Sequence, residues 1–135
     1  MLIDQLAVGM TAESTRIVTQ SDIALFAEVS TDRNPVHLDA EFAARTPFKG
    51  IIAHGMLSAS FISAILGTQL PGEGTIYLGQ NLKFKAPVRP GDAVRIVITI
   101  LEITPEKRRV ICKTDCFVGT TQVIDGEATV MVPAA

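Results

Sequence analysis

The stretch Asp32-Arg33-Asn34-Pro35-Val36-His37 places a carboxylate and an imidazole on either side of a proline. Pro35 fixes its own φ and disfavours the α region for Asn34, so the segment is expected to turn. A turn of this length can bring Asp32 and His37 side by side. Such a pair suits acid–base chemistry: the carboxylate favours the charged imidazole and orients one ring nitrogen, leaving the other for a substrate. On spacing alone, the competing reading is a solvated surface turn in which Asp32 acts as a cap.

A second group is His54-Gly55-Met56, at the start of an apolar run. A helix beginning there would present unpaired N–H groups and partial positive charge. Gly55 has no side chain to keep a ligand from its N–H. That arrangement suits a polarised carbonyl oxygen. The plainer alternative is an ordinary helix start with His54 hydrogen-bonded in the core. The third group is serine. Ser60 and Ser63 share a helical face with Met56 and Gly67. Ser63 could line a pocket beside the turn, or bond back to the carbonyl one turn earlier. No G-x-S-x-G elbow surrounds any serine, which argues against a serine hydrolase.

The elements that must position these groups fall into two blocks. Thr19 and Asp22 form a capping-box-like start for an amphipathic helix over 21–29. Asp39 caps a short second helix that Pro47 stops. The run 55–69 reads as a long helix, apolar on nearly every face and therefore buried on nearly every side. Beyond it the period changes to two. Ile76, Leu78, Leu82 and Phe84 share one parity, with Gln80 among them in need of a partner. Val94, Ile96, Ile98 and Ile100 share another apolar face, as do Val110, Cys112, Cys116 and Val118, and then Ile124, Ala128, Val130 and Val132. Helices followed by at least four strands joined by short turns predict an α+β fold, its antiparallel sheet wrapped around the apolar helix.

Composition narrows the classes. The 135 residues suit one domain, and 47% of them are apolar, so disorder is not expected. The apolar excess suggests an oligomer that hides surface between subunits. The net charge is −2 and no Lys/Arg block occurs, which argues against nucleic acid as a partner. The strongest apolar segment is shorter than the roughly 20 residues a membrane span needs. The N-terminal residues lack a basic start followed by a long apolar stretch, so a cytoplasmic protein without a secretory leader is expected. Cys112 and Cys116, about 13 Å apart along a strand, are out of disulfide reach and read as reduced core residues. Neither histidine stands at a Cys/His ligand spacing, so no metal is expected.

The segment "STDRNPVHLDAEFA" is followed by "IIAHGMLSASFISAILG" and then by "IYLGQNLKFKAPVRPGD". Together they resemble the MaoC-like (R)-specific enoyl-CoA hydratases, the D-x-N-P-[LIV]-H motif being the specific part. The resemblance implies a hot-dog fold over 1–135, a curled antiparallel sheet around one long helix. It implies Asp32 and His37 as the catalytic carboxylate and imidazole, and Asn34 as a support of the turn. Gly55 would be the residue whose N–H polarises a thioester carbonyl, and Ser63 a pocket serine. Family members usually carry glycine where this chain has Thr31. The implied reaction is hydration of a trans-2-enoyl-CoA to the (R)-3-hydroxyacyl-CoA, without cofactor or metal, in an edge-to-edge homodimer. Acyl-CoA is the implied partner, with Lys83, Lys85 and Arg89 as a basic rim for its phosphates or else a solubilising face. Short or medium acyl chains, and a supply of product to polyester synthesis, are expectations of the same kind. The rival readings are a dehydratase of 3-hydroxyacyl thioesters on CoA or acyl carrier protein, a hot-dog thioesterase, and a non-catalytic acyl-CoA-binding module.

Overall fold

A computed structural model describes residues 1–134. The main elements run β1 (Thr11–Ile17), α1 (Gln20–Ser30), α2 (Pro35–Leu38), α3 (Ala40–Ala44), α4 (Gly55–Thr68), β2 (Ile76–Phe84), β3 (Ala93–Thr104), β4 (Arg109–Val118) and β5 (Thr121–Met131). The helices start where their caps predict. Thr19 Oγ1 accepts from the Asp22 N–H while the Asp22 carboxylate accepts from the Thr19 N–H, closing a capping box on α1. The Asp39 carboxylate caps α3 by accepting from the N–H groups of Glu41 and Phe42.

One antiparallel five-stranded sheet forms, in the order β1-β3-β4-β5-β2. Its inner face carries the expected apolar sets. Val94, Ile96, Ile98, Ile100, Val110, Cys112, Cys116, Ile124, Ala128, Val130 and Val132 are all buried. They meet Leu57, Ile62, Ile65 and Leu66 of α4 in one continuous core. Each such large side chain contributes about 1.5–3 kcal/mol by leaving water. Both cysteines are free thiols in this layer. Burial pushes Cys112 up to about 11 and, with Asp115 adding to it, Cys116 up to about 12.

Four expectations change. The N-terminal third holds a strand, β1, paired with β3. Its sequence, TAESTRI, is polar on both faces and sits at the sheet's edge, so hydrophobic alternation never announces it. Second, β2 follows α4 but pairs with β5, so only β3, β4 and β5 pair in sequence order. Third, a register shift at Tyr77/Gly79 divides the apolar parity of β2. Residues opposite each other share a face, so Tyr77, Gln80, Leu82 and Phe84 stand with Val130, Ala128, Gly126 and Ile124 on the inner side, while Ile76 stands opposite Met131. Ile76 and Leu78 are exposed. Fourth, α4 is not enclosed on nearly every side: Gly55, Met56, Ser60, Ser63, Ala64 and Gly67 form an exposed stripe.

The connection from α1 to α2 is set by one residue. Thr31 closes α1 at φ 63, ψ 10, in the left-handed region that glycine enters without a Cβ penalty. The resemblance places glycine here, and the geometry gives the reason. Replacing Thr31 by Gly should therefore be neutral or stabilising by up to about 1 kcal/mol, against the usual cost of introducing glycine. Urea denaturation of the two proteins measures it; a loss of more than about 1 kcal/mol would show that Thr31 is unstrained.

Candidate active site

Backbone-to-side-chain bonds shape the segment that carries the carboxylate. Ser30 Oγ accepts from the Asp32 N–H at 3.1 Å, and Asp32 Oδ1 accepts from the Asn34 N–H at 3.1 Å. Asn34 Oδ1 then accepts from the Val36 N–H at 3.1 Å, capping α2, with Pro35 at its first position. The predicted turn is thus an Asx turn leading into a one-turn helix. It leaves Asp32 exposed and turns His37 inward, to 8% exposure.

His37 is held by main chain. Its Nδ1 lies 2.7 Å from the Ile52 carbonyl oxygen. A carbonyl only accepts, so Nδ1 carries the hydrogen and the neutral ring has its lone pair on Nε2. The Ile52 carbonyl therefore orients the imidazole, a task that the sequence reading gave to the Asp32 carboxylate. Asp32, His37 and His54 each offer a ligating atom, all within 4.8 Å of one another. At that upper limit a single water can bridge carboxylate and imidazole. The His37 and His54 rings stack, with centroids 3.9 Å apart and planes at 28°. Stacked rings hold their in-plane lone pairs alongside each other, which does not favour convergence on one cation.

Gly55 begins α4, and no side chain caps that end. The Phe84 ring lies directly against Gly55: a Cβ built there would come within 2.6 Å of it. The glycine thus allows a wall residue from β2 to close on the helix terminus. Phe84 keeps 53% of its surface exposed even though it sits on the inner parity of its strand. The sequence reading placed Phe84 on the apolar parity of its strand and missed this contact.

Between the open stripe of α4 and β2 lies an apolar groove of about 490 Å³, lined by Phe26, Met56, Ser60, Ser63, Leu78 and Gln80 among others. Ser60 bonds back to the Leu57 carbonyl, while Ser63 presents an exposed side chain to the groove. Phe26 links groove and histidines, its ring 4.9 Å from that of His54. Gln80 finds its partners inside: its amide donates to Thr114 Oγ1 and to the Asn81 carbonyl, both at 2.8 Å, and its carbonyl accepts from the Tyr77 hydroxyl.

The three basic residues do not gather at one place. Lys83 lines a groove with Lys113, Asp125 and Glu127, and Lys85 follows just past the strand. The carboxyl of Asp125 is held below the usual range, chiefly by its hydrogen bond from Lys113 and to a lesser degree by Lys85 and Lys83. Arg89 donates to the Phe48 carbonyl at 2.6 Å, tying the loop before β3 to the segment before α4.

A curled antiparallel sheet around one helix, with an imidazole and a carboxylate near that helix's uncapped N-terminus, defines a hot-dog domain with a polar site at the helix start. The sequence model of the family described as "MaoC like domain" matches residues 5–126, and the chain belongs to that family. It is 55% identical over 126 residues to an (R)-specific enoyl-CoA hydratase of Rhodospirillum rubrum, covering 93% of this chain and 88% of that one. It is 49% identical over 130 residues to a 3-hydroxybutyryl-CoA dehydratase of Methylorubrum extorquens, covering 96% and 83%. The unliganded R-hydratase PhaJ1 of Pseudomonas aeruginosa superposes with a TM-score of 0.93 at 51% identity, covering 99% of this chain and 86% of that one.

The Gly55–Phe84 contact is testable by itself. Gly55→Ala should destabilise the protein by about 1–3 kcal/mol through overpacking, and by much less when made in a Phe84→Ala background. Denaturant midpoints of the four proteins in the cycle measure the coupling; a coupling near zero would place the two groups apart.

Proposed function

We propose that this chain adds water to a trans-2-enoyl-CoA to give the (R)-3-hydroxyacyl-CoA, with Asp32 and His37 as the catalytic pair and the Gly55 N–H as the oxyanion donor. The observation that carries the reading is the pinned His37 ring. With Nδ1–H committed to Ile52, its Nε2 lone pair is the one open to a water that the Asp32 carboxylate can share. The relatives' names give the reaction class its independent support.

The chemistry follows from conjugation. In an enoyl thioester the C2=C3 double bond is polarised by the carbonyl. The water oxygen bonds to C3 while one of its protons passes to the Asp32–His37 pair. The π electrons move toward the thioester oxygen, where negative charge grows. Donors aimed at that oxygen stabilise the transition state by about 3–4 kcal/mol each. Gly55 opens an uncapped helix of fourteen residues, so its N–H and the helix dipole act together there. The enolate then collapses and takes the proton at C2, leaving the pair as it began. Asn34 and Pro35 keep Asp32 in register with His37, and Phe84 walls the oxyanion side.

The acyl chain fits the apolar groove that carries Ser63, and Arg89 or Lys83 and Lys85 stand as the basic groups for the CoA phosphates. The reverse reaction, dehydration of a 3-hydroxyacyl-CoA, uses the same groups, and the Methylorubrum extorquens relative bears a name of that kind. A homodimer joined along the β2 edge belongs to this reading. It would cover Ile76 and Leu78, apolar and exposed beside an unpaired strand edge. The single domain over 1–135 is supported by the one continuous core, and a cytoplasmic location belongs to the same reading. Among the described residues no helix is long and apolar enough to cross a membrane.

Asp32→Asn and His37→Gln should each lower kcat by at least about 100-fold with the fold retained. The assay is loss of enoyl absorbance with crotonyl-CoA, with chiral analysis of the product. Turnover near wild type in either variant would remove that residue from the pair. Ser63→Ala should cost less, and an unchanged kcat and KM would make Ser63 a packing residue.

A further inference from the structure

His54 has no chemical step in the mechanism above, yet it is placed with unusual constraint. It is 2% exposed and caps α4 with backbone alone. Its Nε2 lies 2.9 Å from the main-chain carbonyl of Asp32. A carbonyl only accepts, so Nε2 carries the hydrogen and, in the neutral ring, Nδ1 is an acceptor. That Nδ1 is buried without a partner, and so is the hydroxyl of Ser58, one turn along α4 and 1% exposed. Both residues line the same cavity of about 110 Å³, walled by Ile52, Gly55, Phe84 and Val123 among others. Two orphaned polar groups in an apolar helix–sheet interface would each cost about 1–3 kcal/mol if left dry. The cavity has room for a water molecule, which occupies about 30 Å³.

We propose that His54 is a positioning residue for the catalytic pair, and that a buried water between Ser58 Oγ and His54 Nδ1 completes the lock on the Nε2–H tautomer that the Asp32 carbonyl sets. Ser58 and the water supply the hydrogen that Nδ1 accepts. This keeps the opposite hydrogen on Nε2, where it anchors the Asp32 main chain. The flat face of the same ring backs the His37 imidazole. One side chain thereby fixes the spacing of carboxylate and imidazole without touching substrate. If the ring switched to the Nδ1–H tautomer, Nε2 would present a lone pair to the Asp32 carbonyl, and two acceptors would repel. Asp32 and His37 are the titratable groups grouped with His54; α1 contributes the Phe26 ring, α4 contributes Ser58, and β2 contributes Phe84.

The inference rests on Asp32 and His37 being the reacting pair, and its test separates the two ideas. Nitrogen-15 histidine spectra of the intact protein report tautomers without reference to activity. They should show the neutral His54 ring as the Nε2–H form, and Ser58→Ala should move its Nδ1 resonance toward that of an acceptor without a hydrogen bond. An Nδ1–H tautomer in the unaltered protein, or an Nδ1 resonance unmoved by Ser58→Ala, would overturn the lock. Kinetics test the positioning. His54→Phe keeps the ring but loses the donor; His54→Gln keeps an N–H near Nε2 but packs less well. Positioning predicts that kcat falls about 100-fold in His54→Phe and about 10-fold in His54→Gln, with KM within about twofold in both. A purely structural ring predicts the opposite order, with His54→Phe the more active, and that result would overturn the proposal. If Asp32→Asn and His37→Gln retain activity while the tautomer is as predicted, the fault lies in the catalytic assignment and not in the lock.

Discussion

Two main-chain carbonyls hold this site together. Those of Ile52 and Asp32 each accept a hydrogen bond from an imidazole, His37 in the first case and His54 in the second. Because each histidine belongs to one segment and its acceptor to the other, the bonds lace the chain around α2 to the segment that leads into α4. The laced segments are tied further: the Ile52 N–H bonds the Val36 carbonyl at 3.3 Å, and the Ala53 N–H bonds the Val88 carbonyl at 2.7 Å. Without this lacing, the motif around Asp32 would be a flexible surface turn. With it, the carboxylate, the imidazole and the start of α4 share one frame.

The sheet provides the rigidity behind that frame. Its inner face is almost wholly aliphatic, and the exceptions are local and satisfied. Thr114 is fully buried and accepts from Gln80, whose side chain also accepts from Tyr77. Gly126 makes room for this cluster, since a Cβ there would meet Thr114 Oγ1 at 2.6 Å. The polar bridge joins β2 to β4 across β5, behind the groove. Apolar packing on one side of α4 and small residues on the other give the helix two roles. It fills the core and it forms a groove wall.

Much of the candidate site was legible in the sequence because its parts are local. Asp32, Asn34, Pro35 and His37 lie within six residues, and turn chemistry acts at that range. The helix start at Gly55 was legible because the apolar run begins there. Thr31 was legible only as a departure from a pattern; its left-handed φ explains why glycine is usual at that position. Phe84 and Ile52 were not legible. One acts through a contact across the fold with Gly55, and the other through a carbonyl, which every residue possesses.

The sequence by itself determined the α+β class, the central helix, three inner strand faces and the residue types that the candidate site would use, since each is written in local periodicity or residue type. The tertiary structure decided what needed distant partners. Edge strand β1 exists because β3 offers it hydrogen bonds, not because its own side chains alternate. The exposed stripe on α4 depends on where the curled sheet stops covering the helix. The order β1-β3-β4-β5-β2 sends β2 to β5 rather than to its neighbour in sequence. The tautomers of His37 and His54 follow from carbonyls that folding brings beside them. Hydrogen-bond partners far apart in sequence are set by closure of the whole sheet, and no local pattern carries that information.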